Sequence, residues 1–198
     1  MALLPLILGL IVFLGPHGLT MHRPSRSRLI KRLGVGPYKG LYSLVSLVGL
    51  VLIIYGYGVY RNAGMIPVWS PPYWMRHLTF LFVLIAFVLV PAAYAPTHIK
   101  AALKHPMITA VMLWSLGHLL VRGDLGSIVM FGAFLLWGVV ARISMARRDP
   151  DDKQGPPLPV REPHWGADAV AVVVGVLVYA IFLVWLHPLL IGVQLLPG

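Results

Sequence analysis

Residues 77–99 read HLTFLFVLIAFVLVPAAYAPTHI and contain no Asp, Glu, Lys or Arg. A helix of about 20 mainly apolar residues crosses the hydrocarbon core of a bilayer. The stretch therefore predicts a transmembrane helix, and five similar runs lie on either side of it. We predict an all-α integral membrane protein that forms one polytopic domain over residues 1–198. Its six or so transmembrane helices, in one bundle, lie near residues 2–22, 40–60, 77–97, 105–121, 125–143 and 168–190, and a flexible cytoplasmic loop covers 147–165.

The composition excludes an ordinary soluble domain. Hydrophobic residues make up 59% of the chain, charged residues only 11%, and the mean hydropathy is +0.84, whereas soluble domains carry about 25% charged residues. The net charge of +10 does not indicate nucleic acid, because the cations lie in short loops between apolar runs. The partner that we expect is the lipid bilayer. The chain has no cysteine, which excludes disulfides, thiolate metal ligands and covalent haem attachment.

The loops predict an orientation. Thirteen of the 16 Lys and Arg residues follow the first, third and fifth predicted helices, and only Arg61, Arg76 and Arg122 lie elsewhere. Cytoplasmic loops carry the excess of positive charge. We therefore expect these three loops in the cytoplasm and both termini outside it.

The fourth and fifth predicted helices are joined only by Arg122-Gly123-Asp124. Glycine tolerates the backbone conformations of a sharp turn, so we expect the chain to reverse at Gly123. An arginine and an aspartate this close to the membrane are expected to neutralise each other.

Histidine is the residue type left for cofactor chemistry. The chain has eight histidines and six acidic residues, and the predicted span interiors hold no acid or lysine. Two histidines that face each other across a helical bundle can bind a haem iron. The competing interpretation is a histidine that only donates a hydrogen bond between helices. The candidates in or near spans are His17, His77, His98, His105, His118, His164 and His187.

Three stretches resemble the NnrU family. The main one is KHPMITAVMLWSLGHLLVRGDLGS, residues 104–127, and the others are FLGPHGL, residues 13–19, and LHPLLIG, residues 186–192. The likeness runs in order from the first helix to the last. NnrU proteins are associated with bacterial nitrite and nitric oxide reduction, that is, denitrification. The family also includes cis-zeta-carotene isomerase, a membrane enzyme that binds haem b and acts on a carotenoid.

The resemblance implies a haem b iron whose axial ligands are His17 and His118, in a protein of the bacterial inner membrane. It also implies, as partners, a lipid-like or carotenoid small molecule and respiratory membrane proteins. Two positions depart from the isomerase pattern: Tyr60 replaces a histidine that serves as a spare ligand, and Ser115 replaces a cysteine. An isomerase mechanism that exchanges ligands lacks its spare ligand here.

The depth of the histidines favours a different pair. His118 follows His105 by 13 residues, or about 20 Å of helix, whereas His17 lies near the same end of the bundle as His105. His105 is therefore the reserve ligand, and His187 is the better depth match for His118. A histidine–methionine pair that uses Met21 or Met112 also stays open.

Two other function classes stay open. One is a non-catalytic assembly or accessory factor whose histidines are structural. The other is a membrane methyltransferase of the isoprenylcysteine type, which also has a His-Pro at a helix start. The acidic–basic motif expected of that enzyme is absent after the fifth helix, where the chain has only Arg147-Arg148-Asp149-Pro150.

Overall fold

The computed structural model describes residues 2–147 and 161–196, and this part of the chain is helical apart from its connections and one isolated β-bridge between Pro67 and Asp124. The helices are α1 (Leu4–Leu19), α2 (Arg23–Leu33), α3 (Val35–Asn62), α4 (Met75–Ala92), α5 (His98–Leu103), α6 (Pro106–Val121), α7 (Leu125–Ala146), α8 (Trp165–Ile181), a π-helical turn (Phe182–Leu186) and α9 (His187–Ile191). The predicted all-α membrane fold is confirmed.

The six predicted apolar segments are all helical, but they differ in length. Four are long and apolar enough to cross a membrane: α3, α4, α7 and the stretch from α8 through α9. Helices α1 and α6 have 16 residues each, or about 24 Å, against a hydrocarbon core of about 30 Å. A bend of 91° separates α1 from α2, and the two together count as a fifth candidate span.

The first basic loop contains a helix that was not predicted. Helix α2 has 11 residues, with Pro24 in its first turn, where a missing N–H costs nothing. The predicted cytoplasmic loop 147–165 lies mostly outside the described residues, which exclude 148–160, and α8 already begins at Trp165.

The described residues form two compact units. The first unit contains residues 2–73 and 118–147, and the second contains residues 74–117 and 161–196. The division falls inside α6, between Gly117 and His118. The single-domain organisation stays a prediction.

Glycines allow α1 and α3 to pack closely in the first unit. A methyl group added at Gly9 would overlap the backbone of Ile53, and one added at Gly56 would overlap the backbone of Leu6. Such small residues let membrane helices approach closely enough for van der Waals packing to hold them together. Leu6, Leu10 and Ile53 form the buried core at this contact.

In the second unit, Gly175 of α8 lies against the backbone of Val88 in α4. The buried residues Ala86, Leu89 and Ala110 form its apolar core. In both units, glycines therefore let two helix backbones approach closely.

The connection between α6 and α7 is held by backbone hydrogen bonds. The Gly123 carbonyl accepts hydrogen bonds from the N–H groups of Val68 and Trp69, at 2.8 and 3.1 Å. A Cβ atom at residue 123 would collide with the Trp69 carbonyl oxygen, so only glycine fits. Arg122 and Asp124 form the expected ion pair, at 3.5 Å.

Candidate cofactor site

His17 lies in the last turn of α1, in the first unit. Its Nδ1 is 2.6 Å from the Phe13 carbonyl oxygen. Since a carbonyl only accepts, Nδ1 must carry the proton, and Nε2 then has the lone pair that a metal ligand needs. The imidazole is packed against the rings of Phe13 (4.5 Å between centroids), Tyr42 (5.2 Å) and Trp137 (5.8 Å).

His118 lies in the last turn of α6 and also belongs to the first unit. Its ring stacks on the buried Phe131 ring of α7, with centroids 4.5 Å apart and planes 20° from parallel. Phe131, Phe134 and Trp137 form an aromatic stripe on α7, because residues three apart are neighbours on a helix surface. His118 contacts one end of this stripe and His17 contacts the other.

The aromatic stripe also gives a measure of the depth difference between the two histidines. Residues 131 and 137 are about 9 Å apart along α7, about half of the 20 Å that the spacing from His105 suggested. Two imidazoles on one iron place their nitrogens about 4 Å apart, twice a metal–imidazole bond of about 2 Å. Phe134 occupies the middle of the stripe, and its ring lies 5.7 Å from that of Phe13.

The two side chains are of the donor type that binds a haem iron. Two imidazoles from two helices contact one aromatic stripe, and Nδ1 of His17 is already oriented by a carbonyl, as is usual for a metal-binding histidine. Flat aromatic rings provide the apolar contacts that a porphyrin requires. If His17 and His118 hold haem b, the haem supplies a redox-active iron. The Phe134 side chain would then have to move to make room for the porphyrin.

Two buried polar atoms in the same region have no hydrogen-bond partner among the described residues. They are the Tyr38 hydroxyl and the Trp137 indole N–H. Trp137 contacts His17 directly, and Tyr38 contacts Tyr42 at 6.4 Å. Buried polar groups without a partner are rare in native proteins and indicate an absent ligand, ion or water.

The other candidate histidine ligands belong to the second unit. His105 belongs to the second unit, just before α6, and so does His187, whose Nδ1 is 2.8 Å from the Val193 carbonyl oxygen. In the described residues, no group of three or more His, Asp or Glu side chains is arranged to hold a metal ion. A site of the Zn or non-haem iron type therefore has no support in that part of the chain.

The two positions that depart from the isomerase pattern have structural roles. The Tyr60 side chain is 1% exposed, and its hydroxyl accepts the N–H of Ile66 at 2.9 Å. Its ring presses against Gly126, where a methyl group would overlap it. The Ser115 hydroxyl donates to the Val111 carbonyl of its own helix at 2.7 Å. Both hydroxyls therefore already have backbone partners.

A histidine–carboxylate pair was missed by sequence reasoning. His98 and His164 look interfacial in the sequence, with water as the expected partner. Instead, His98 Nδ1 lies 2.6 Å from the Asp168 carboxylate, and Trp165 stacks on the imidazole at 4.4 Å. His164 caps α8 by accepting the Ala167 N–H. The sequence signal was Asp168 itself, an acid at the start of a long apolar run.

A polar network at the start of α7 was also only partly foreseen. Arg122 donates to the Tyr57 hydroxyl at 2.9 Å, and the buried Ser127 hydroxyl lies 2.7 Å from both Tyr57 and Asp124. The carboxylate of Asp124 also accepts the Ser127 N–H, which caps α7. The network satisfies an arginine and an aspartate at the edge of the membrane without a cofactor.

Comparison with known proteins gives one family. The sequence model of the family described as NnrU protein matches residues 5–195, nearly the whole chain. No curated protein and no solved structure gives a significant match.

Proposed function

Since the chain belongs to the NnrU family, we propose that it is a membrane protein that binds one haem b between His17 and His118 and supports nitrite and nitric oxide reduction. One observation carries the cofactor part: two histidines from separate helices contact one aromatic stripe on α7. The absence of cysteine makes attachment of the haem non-covalent.

The residues of this site have separable tasks. The Phe13 carbonyl orients His17 by fixing the proton on Nδ1, so that Nε2 faces away from its own helix backbone. Phe131 fixes the plane of the His118 ring by stacking. The aromatic stripe excludes water, and a dry environment tunes the reduction potential of a haem iron.

The denitrification role and the haem are tested separately. Purified protein, expressed with added haem precursor, should carry about one haem per chain in a pyridine haemochrome assay. Deletion of the gene in the native host should lower nitrite or nitric oxide consumption. Unchanged consumption would contradict the denitrification role, and colourless protein would contradict the haem.

Isomerase chemistry on a carotenoid or other lipid-like substrate is the second part of the proposal. The family resemblance supports it, but the Tyr60 hydroxyl already accepts a hydrogen bond from the Ile66 N–H. We therefore expect any such activity to proceed without a ligand exchange at Tyr60, so that Tyr60→Phe leaves it unchanged. Conversion of cis-zeta-carotene by cells carrying the gene measures the activity, and loss of conversion in Tyr60→Phe would contradict this view.

The location that we propose is the bacterial inner membrane, with the basic loops in the cytoplasm and both termini outside. The four long apolar helices support a multi-pass membrane protein, and the charge of the loops supports the orientation.

A further inference from the structure

A cleft of about 270 Å³ lies in the first unit, where the end of α1, helix α2 and the start of α3 meet. Two of its lining side chains are cationic, four carry hydroxyls and none is acidic; they are Thr20, Arg26, Tyr38, Lys39, Tyr42 and Ser43. Arginine and lysine with hydroxyl donors are the groups that bind phosphate oxygens.

The positive charge of this region is not balanced by the nearby sequence. Residues 1–123 contain no Asp or Glu. Asp124, the first acid in the chain, is bound by Ser127 and Arg122 at the start of α7. Asp124 is also the only acid among the described residues of the first unit, so none of them supplies a carboxylate to the cleft.

A buried hydroxyl points to the same ligand. Tyr38 lines the cleft with 8% of its surface exposed, and its hydroxyl has no partner among the described residues. Thr20 already donates to the His17 carbonyl at 2.7 Å and offers only lone pairs. A buried hydroxyl without an acceptor is destabilising, and a phosphate oxygen in the cleft would remove that penalty.

The direction and sequence of α2 indicate which kind of molecule would supply a phosphate to the cleft. Helix α2 turns by 91° from the apolar α1, so it lies across the membrane normal if α1 lies along it. Its sequence RPSRSRLIKRL contains five cations together with the apolar Leu29, Ile30 and Leu33. Basic amphipathic helices of this kind lie among lipid head groups and attract anionic lipids.

We propose that this cleft is a binding site for the phosphate of an anionic phospholipid head group. Arg26 and Lys39 neutralise the phosphate charge, and Tyr38 donates a hydrogen bond to one of its oxygens. The site is independent of the proposed haem, although Tyr42 contacts both the cleft and His17.

The test measures lipid binding to the purified full chain in a neutral detergent, by native mass spectrometry and by thermal shift. The probes are phosphatidylglycerol, phosphatidylcholine and inorganic phosphate. The wild type should prefer phosphatidylglycerol over the other two. Arg26→Gln, Lys39→Gln and Tyr38→Phe should each weaken phosphatidylglycerol binding about tenfold, as expected for loss of a hydrogen bond to a charged group.

The control is Arg32→Gln, which removes the same charge from an exposed residue of α2 that does not line the cleft, and it should change the affinity less than about twofold. Tyr38→Phe keeps the shape and charge of the side chain, and it should raise the melting temperature of the lipid-free protein because it removes the unpartnered hydroxyl.

Three results would overturn the proposal. Equal losses in Arg32→Gln and Arg26→Gln, with none in Tyr38→Phe, would mean that α2 attracts lipid only as a charged surface. Saturation by inorganic phosphate that excludes the lipid would make the cleft a free-anion site. Loss of haem with unchanged lipid preference in the cleft variants would assign Arg26 and Lys39 to a haem carboxylate.

Discussion

Asp168 joins the start of α8 to the start of α5, and its removal is expected to destabilise the second unit. The carboxylate accepts three hydrogen bonds: from His98 Nδ1 at 2.6 Å, from the His98 N–H at 3.3 Å and from the Ile99 N–H at 3.3 Å. The two backbone donors belong to the first turn of α5, where N–H groups have no partner inside the helix.

The expected cost of Asp168→Ala follows from these contacts. The short bond from His98 joins a charged carboxylate to a side chain that is 43% exposed, so it is weaker than a buried bond of the same length. The two longer bonds satisfy N–H groups at the start of α5. We therefore expect Asp168→Ala to lower the melting temperature by roughly 5–10 °C.

The assay is thermal unfolding of the purified protein in detergent, with Glu162→Ala as the control. Glu162 is exposed, and its replacement removes the same charge in the same region. We expect that control to stay within about 0.5 kcal/mol of the wild type. If both variants lose the same stability, the carboxylate acts only through net charge and the hydrogen-bond argument is wrong.

Three other predictions test other parts of the molecule. Gly123→Ala should sharply lower the yield of folded protein, measured by size-exclusion chromatography, because a Cβ atom would collide with the Trp69 carbonyl; normal yield would contradict the turn. Phe134→Trp should reduce haem retention, measured by Soret absorbance, because it enlarges the side chain between the two histidines; unchanged retention would place the haem elsewhere. Reporter fusions at residue 155 should behave as cytoplasmic and fusions at the C-terminus as external, and the opposite pattern would invert the proposed topology.

The apolar helices could be predicted from the sequence because a membrane span depends only on the residues of its own segment. An uninterrupted run without charge leaves few alternatives to a helix in lipid. The need for glycine at residue 123 was not readable in the same way, because it depends on the approach of the Trp69 carbonyl, 54 residues away in the sequence.

Helix α2 was missed because its charges mark it as a loop. The signals that identify a short interfacial helix were Pro24, two residues after His22, and the apolar Leu29, Ile30 and Leu33 at helical spacing. The shortness of α1 also depends on the turn into α2, which charge counting does not reveal.

The contacts of the histidines were beyond sequence reasoning because they are long-range. His98 and Asp168 are 70 residues apart, and neither local sequence contains a pattern that predicts their contact. The choice between His105 and His118 depends on which unit each joins. Conversely, the predicted pair of His17 and His118 came from a family resemblance and not from spacing.

The most direct test of the central claim is the Soret spectrum of His17→Ala and His118→Ala beside His22→Ala. His22 lies in the same unit, five residues after His17 in the sequence, and is exposed, with its ring bonded to Ser25. The account predicts that both ligand variants lose or strongly shift the Soret band while still inserting into the membrane, and that His22→Ala keeps a normal spectrum. Normal spectra in both ligand variants, with loss in His105→Ala, would contradict the account and assign the iron to the reserve ligand.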